Sequence, residues 1–297
     1  MTRLWSWLAA LVLLAGCAQT QVNLPALEGA SSARLPGKVI WHDLISATPQ
    51  ASQRFYGELF GWQFEQLTFN TSIFSSASYY VISHQGRVIG GMVDQADLNA
   101  EGNASQWVVV LASDNIDQSA AAVEANGGTL LGPVFDLQER GRMAVAKDGQ
   151  GALFALLQTP NGDPADRSQI PTGDFLWNEL WTSNVSQAGH FYRTLAPYQL
   201  DAHNLGDGHD YTLLKAQQKP RAGIVKMPVQ GIPPTWVSYV RVADAAELDA
   251  ILAQVESLGG KILLPAEDRI AGGRAALIAG PSGAGIALQT WPVTDKE

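Results

Sequence analysis

Cysteine is nearly absent from this 297-residue chain, which has one, Cys17. Everything after it is therefore without a disulfide, a thiolate ligand or a cysteine nucleophile. Charge is sparse and one-sided: 19 Lys and Arg stand against 28 Asp and Glu, for a formal net charge of -9 and a pI of about 5.0. No cluster of basic residues occurs, which excludes nucleic acid and any anionic partner that needs a basic cradle. Also missing are the HExxH, CxxC and GxSxG patterns and a phosphate-binding glycine loop. The stretch "GGRAALIAGPSGAG" (272–285) is glycine-rich but lacks the Gly-Lys-Ser/Thr ending, and reads as strand, turn, strand.

What is present begins with "MTRLWSWLAALVLLAGC" (1–17), with one positive charge at Arg3, an apolar stretch from Leu4 to Leu14 and small residues before the cysteine. The apolar run is well short of the roughly 20 residues that cross a bilayer, so residues 1–16 are expected to be a signal peptide. "LAGC" (14–17) resembles the lipobox of bacterial lipoproteins, which implies lipidation of Cys17 and cleavage just before it. Each buried methylene contributes about 0.8 kcal/mol, so several acyl chains would anchor the protein firmly. Ala18 and Gln19 follow the cysteine rather than Asp, which points to the outer membrane, facing the periplasm. Residues 17–37, small and polar after Cys17, are expected to form a flexible tether.

The rest of the chain repeats itself. "IWHDLISATPQASQRFYGELFGW" (40–62) aligns without a gap on "LWNELWTSNVSQAGHFYRTLAPY" (176–198), matching Trp41 with Trp177, Asp43 with Glu179, and Phe55-Tyr56 with Phe191-Tyr192. A second pair starts at Trp107 and Trp236, and each runs to a Gly-Gly pair after a helix-like stretch. Self-similarity at this spacing implies a tandem repeat. It predicts domains at 38–158 and 174–293, joined by the turn-rich linker 159–173. Helical periodicity over 49–60 and 115–126, with strands at 63–68, 78–84, 87–93, 107–112, 129–135, 142–147 and 152–158, predicts two βαβββ units per domain. The fold class is α+β: four βαβββ units in two curved-sheet domains with helices outside.

"FYGELFGW", "NGGTLLGP", "LGGKILLP" and the endings "DGQGALFALL" and "GPSGAGIAL", in that order, resemble the vicinal oxygen chelate (VOC) superfamily, which includes glyoxalase I, extradiol dioxygenases and bleomycin-resistance proteins. The resemblance spans about 38–291 and implies curved sheets enclosing a cavity. In metal-using members the ligands are His, Glu or Gln on the first and last strand of each unit. The resemblance puts those positions at Trp41, Val108, Ala155 and near Gly90-Gly91, and in the second domain at Trp177, Val237 and Ala287. None can coordinate through its side chain, so no metal and no cofactor is expected; a divalent metal is the alternative.

Alternation along a strand turns His42 and Leu44 under the helix and Trp41 and Asp43 into the cavity. His84 is expected at a solvated hairpin tip, and His203 and His209 in a polar loop where a metal site with Asp207 or Asp210 is the sharper alternative. The candidate ligand-binding residues are Trp41, Asp43, Val108, Trp177, Glu179, Tyr239 and Arg241, with Tyr79 or Tyr80 and Tyr211 beside them. Each cavity then pairs an indole with a carboxylate in an apolar wall, as a small-molecule pocket does; a collapsed cavity filled by the indole is the competing reading. The expected function is a metal-free envelope lipoprotein that binds a small aromatic or cationic molecule. The alternatives are a metal-dependent glyoxalase- or dioxygenase-type enzyme, or a module that interacts with a protein partner in the envelope.

Overall fold

The computed structural model describes residues 22–72, 75–98, 100, 102–204, 210–269 and 272–291. The leader, Cys17, Asp207 and His209 lie outside the described residues. In the first half the elements run β1 (Val39–Ser46), α1 (Pro49–Phe60), β2 (Gln63–Ser72), β3 (Ser75–His84), β4 (Arg87–Asp94), β5 (Gln106–Ala112), α2 (Ile116–Ala125), β6 (Thr129–Leu130), β7 (Phe135–Asp136), β8 (Arg142–Lys147) and β9 (Leu153–Gln158). In the second they run β10 (Phe175–Thr182), α3 (Val185–Leu195), β11 (Gln199–Asn204), β12 (Asp210–Ala216), β13 (Lys219–Lys226), β14 (Thr235–Val242), α4 (Ala245–Val255), β15 (Lys261–Asp268), β16 (Arg274–Ala279) and β17 (Gly285–Thr290).

The sequence dictates the helix limits. Pro49 opens α1, where its missing N–H costs nothing, and Gly61 closes it in the left-handed conformation, its N–H on Gly57 O. Asn115, Asn184 and Asp244 cap the other three helices through side-chain oxygens. The strand expected over 129–135 breaks into two short pieces around Gly132-Pro133, because proline has no N–H for the ladder.

Both halves share one strand order. The first sheet runs β2-β3-β4-β1-β5-β9-β8-β6, with β7 on β8, and the second runs β11-β12-β13-β10-β14-β17-β16-β15. In each, the first strand lies between a parallel and an antiparallel neighbour: β1 between β4 and β5, β10 between β13 and β14. Two α+β domains of the same strand order result.

The helices lie outside both concavities but inside the molecule. Phe55, Tyr56 and Leu59 of α1 share one core with Leu248, Ile251 and Val255 of α4, while Val123 of α2 shares another with Ala188, Phe191 and Tyr192 of α3. The repeated motifs form this seam. A Cβ at Gly260 would sit 2.4 Å from the Phe55 ring, and one at Gly128 would sit 2.9 Å from Phe191. The second glycine of each Gly-Gly pair thus admits the phenylalanine of the opposite half.

Two expectations need correction. Residues 22–37 are not a free tether: Leu24 and Leu27 are buried, Ser31 N bonds Asp163 O, and Arg34 bonds Thr159. Two leucines three positions apart supply the apolar anchor that the polar composition conceals. His84 is not solvated either. It is buried, with Nδ1 2.6 Å from Oδ1 of Asp174, which also receives Arg87 and Arg167. The hairpin tip therefore meets the linker rather than water.

His42 lies at the centre of the seam. It stacks on Phe175 at 3.8 Å and its Nε2 is 2.9 Å from Oδ1 of Asn178, the residue that occupies its own place in the other half. Burial lowers its pKa to about 4, against the opposing bond from Asn178. The unfolded chain binds this proton near pH 6.5 and the folded chain does not. The neutral-imidazole stability is thus complete above pH 6.5 and is lost as the pH falls towards 4. At about 1.4 kcal/mol per pKa unit, the loss reaches roughly 3 kcal/mol. His42→Asn is expected to flatten urea-unfolding stability between pH 6.5 and 4 relative to the natural chain; parallel pH curves for the two proteins would refute the assignment.

Candidate functional site

On β1 and β10 the alternation holds: Trp41 and Ile45 join the concave cluster of the first half, Leu44 the helix-side core. A glycine lies opposite each acid, with Asp43 paired to Gly91 and Glu179 to Gly223. A Cβ at Gly91 would lie 1.9 Å from Tyr79 Oη, and one at Gly223 would lie 2.0 Å from Tyr211 Oη. Only glycine lets a phenol lie flat across the neighbouring strand and reach the carboxylate.

The first cluster is compact. Tyr79 Oη donates to Asp43 Oδ1 at 2.6 Å, and Trp41 Nε1 is 2.9 Å from both that oxygen and Tyr79 Oη. Arg140 Nη1 donates to Tyr79 Oη at 2.9 Å, and its guanidinium lies 4.3 Å over the Trp41 ring, a cation–π contact. Burial raises the pKa of Asp43, opposed by Tyr79, Arg140 and Trp41. Leu24 and Leu27 complete the same apolar cluster, together with Val108, Val110 and Ala155.

The second cluster borders a cavity of about 820 Å³ whose walls include Trp177, Trp181, Tyr211, Leu264, Leu277 and Trp291. Glu179 is its hub. Oε1 accepts from Tyr211 Oη at 3.0 Å and Arg269 Nη2 at 2.7 Å, while Oε2 accepts from Tyr239 Oη and from Trp181 Nε1 at 3.3 Å. Trp177 Nε1 in turn donates to Tyr211 Oη at 2.8 Å, and Arg269 Nη1 to Tyr239 Oη at 2.9 Å. Burial and the charge of Glu179 push both phenols far above the ordinary tyrosine range, so they remain O–H donors. Burial works against the Arg269 charge, and Glu179 and Tyr239 together more than offset it.

Of the residues expected from the sequence, Trp41, Asp43 and Val108 meet in the first concavity, and Trp177, Glu179 and Tyr239 in the second. Tyr79 and Tyr211 face the acids; Tyr80 belongs to the helix-side core. Arg241 does not join the site. Its guanidinium donates to the backbone carbonyls of Ile170 and Trp291, because at the end of β14 its long stem reaches the linker rather than the cavity. Arg140 and Arg269 were not foreseen. Both lie in connections leading into the third strand of their unit, two and five residues before Arg142 and Arg274, and neither belongs to a motif that could have marked it.

The resemblance noted in the sequence implies a divalent ion, and the donor set does not fit one. Trp177, Val237, Ala287 and Gly223 stand where ligands would, and the neighbouring buried carboxylate, Glu179, has its lone pairs taken by four N–H and O–H donors. Among the described residues no group of three His, Cys, Asp or Glu converges as a metal cage does. His42 faces the seam, and His203, half exposed on β11, has Asp201 at 3.4 Å.

No protein-family profile matches the sequence. A Mycobacterium tuberculosis protein provisionally named glyoxylase CFP32 is 29% identical over 244 residues, covering 82% of this chain and 91% of its own. The anthracycline biosynthesis protein DnrV of Streptomyces peucetius is 29% identical over 268 residues, covering 85% and 93%. Among solved structures, the Mn(II)-bound glyoxalase of Novosphingobium aromaticivorans superposes with a TM-score of 0.56 at 15% identity, over 87% of this chain and 82% of that one. Homoprotocatechuate 2,3-dioxygenase of Brevibacterium fuscum gives 0.58 at 11%, over 92% and 90%.

The fold is that of the glyoxalases and extradiol dioxygenases. The expectation of a metal-free binder is overturned by these comparisons, in which one relative is named as an enzyme and the structural neighbours are enzymes.

Proposed function

We propose that the chain is a glyoxalase-type enzyme whose reaction centre is the second cavity, acting on a small, flat, carbonyl-bearing organic molecule. One observation carries the reading: a buried carboxylate, two phenols and a guanidinium converge on the wall of a cavity of about 820 Å³ that Trp177, Trp181, Leu264 and Leu277 also line. The relative named for anthracycline biosynthesis supports a flat oxygenated substrate, and Trp177, Trp181 and Trp291 supply stacking faces.

The geometry supports proton transfer beside a carbonyl. A substrate oxygen entering between Tyr239 and Arg269 takes over donors that now serve Glu179. The carboxylate, left with fewer donors, becomes the base for a proton on the adjacent carbon, and the phenol and guanidinium stabilise the resulting enolate oxygen. Return of the same proton to a neighbouring atom completes an isomerisation without further reactants. General-base loss typically costs about 10²- to 10⁴-fold. Glu179→Gln is therefore expected to lower kcat by at least about a hundredfold on an active 2-hydroxy carbonyl substrate, such as the hemithioacetal of a 2-oxoaldehyde, whose C–H beside the carbonyl supplies the proton, with a smaller loss for Tyr239→Phe. Unchanged turnover in Glu179→Gln would remove the second cavity from the chemistry.

We also propose that the protein arises from a tandem duplication and is held at the envelope by lipid on Cys17, facing the periplasm. In extended chain, Val22 can lie no more than about 18 Å from that cysteine, which would keep the first half against the bilayer surface. Labelled palmitate is expected to enter the natural chain and not Cys17→Ser; equal labelling of the two would exclude the anchor.

A further inference from the structure

The two concavities carry the same four groups but differ in what fills them. Trp41, Asp43, Tyr79 and Arg140 in the first half correspond to Trp177, Glu179, Tyr211 and Arg269 in the second. Where the second cavity is open, the first receives residues 22–28 of its own chain. Leu24 and Leu27 are buried there against Trp41, Tyr79 and Val108. Arg140, 1% exposed, donates from Nε to the Pro25 carbonyl at 3.0 Å.

The acids explain the difference. Glu179 is long enough to take Arg269 directly at 2.7 Å. Asp43, one methylene shorter, touches Tyr79 and Trp41, and Arg140 directs its Nε at the segment instead. A buried guanidinium needs acceptors, and here one of them is a peptide carbonyl flanked by two branched apolar side chains. That is the arrangement of a ligand, provided by the chain itself.

The segment has the marks of a displaceable occupant. Residues 22–28 form no helix or strand, and besides the Arg140 bond to Pro25 few hydrogen bonds hold them: Leu24 N to Leu137 O, Glu139 N to Asn23 Oδ1, and Val88 N to Glu28 Oε2. Pro25 and Ala26 between the two leucines are exposed. Two side chains enter the concavity while the backbone bridging them stays at its mouth.

We propose that the first concavity is a second binding site, closed by residues 22–28 acting as an internal ligand, and that it takes short apolar peptides or acylated small molecules presenting a carbonyl oxygen to Arg140 beside a leucine-sized group. This goes beyond the reaction assigned to the second cavity and does not depend on it, since the recognising groups are Trp41, Tyr79 and Arg140.

The probe is a peptide of residues 23–28, Asn-Leu-Pro-Ala-Leu-Glu, with blocked ends, titrated into the full chain carrying Leu24→Ser and Leu27→Ser. One peptide is expected to bind per chain, at least tenfold more tightly than to the natural protein, and Arg140→Leu in the same background is expected to abolish binding. Binding that is equal in the natural chain, or indifferent to Arg140→Leu, overturns the proposal, as does no binding to a folded variant at millimolar peptide. If the double variant does not fold, hydrogen exchange on the natural chain decides. The amides of Leu24, Val88 and Glu139 are then expected to exchange together and at least a hundredfold faster than those of Val109 and Leu111 in β5. Exchange as slow as in β5 would show that the segment is a fixed part of the core.

Discussion

A carboxylate on the first strand of each half, buried opposite a glycine, is the constraint from which the rest of the site follows. A buried acid needs donors on its oxygens, and the neighbouring glycine makes room for a phenol to lie across the strand and supply one. The tryptophan two residues earlier points the same way and adds its indole N–H, to the acid in the first half and to the phenol in the second. Arginine completes each cluster from a loop of the second unit. Both units of a half are therefore needed to build one site, which explains why the sheets pair them edge to edge.

The same economy governs the opposite face. Each Phe-Tyr pair serves the seam twice: the phenylalanine rests on a glycine of the other half, and the tyrosine hydroxyl receives the indole N–H of Trp107 or Trp236 in its own half. The helices are thus sandwiched between the sheets, and the concavities face away from the seam. His42 and Asn178, equivalent residues that bond to each other, lie where the two repeats meet. A histidine in the place where a ligand might be sought is a packing residue instead.

Much of this was legible in the sequence because it is local. The limits of α1 follow from Pro49 and Gly61, and the inward face of β1 from strict alternation. Longer reach was not legible. Alternation gives the face of Arg241 but not where its stem ends, and Arg140 and Arg269 sit in connections of unequal length without a motif. The order of residues 22–37 escaped notice because Leu24 and Leu27 are anchored only by a concavity assembled from distant strands. Alternation shows the Trp-plus-acid pairing with tyrosines beside it, whereas the guanidinium that completes each cluster is visible only when the sheets are in place. The expectation of a metal-free binder rested on the missing metal ligands alone, and the name of a relative stands against it.

Glu179 and Arg269 are the pair on which the second site turns, and their coupling is directly measurable. A double-mutant cycle of Glu179→Gln and Arg269→Met, read as urea-unfolding free energies at pH 7, should give an interaction energy of about 1–3 kcal/mol, as residues in one buried network do. Strict additivity, within about 0.5 kcal/mol, would contradict the account of Glu179 as the hub of the cavity.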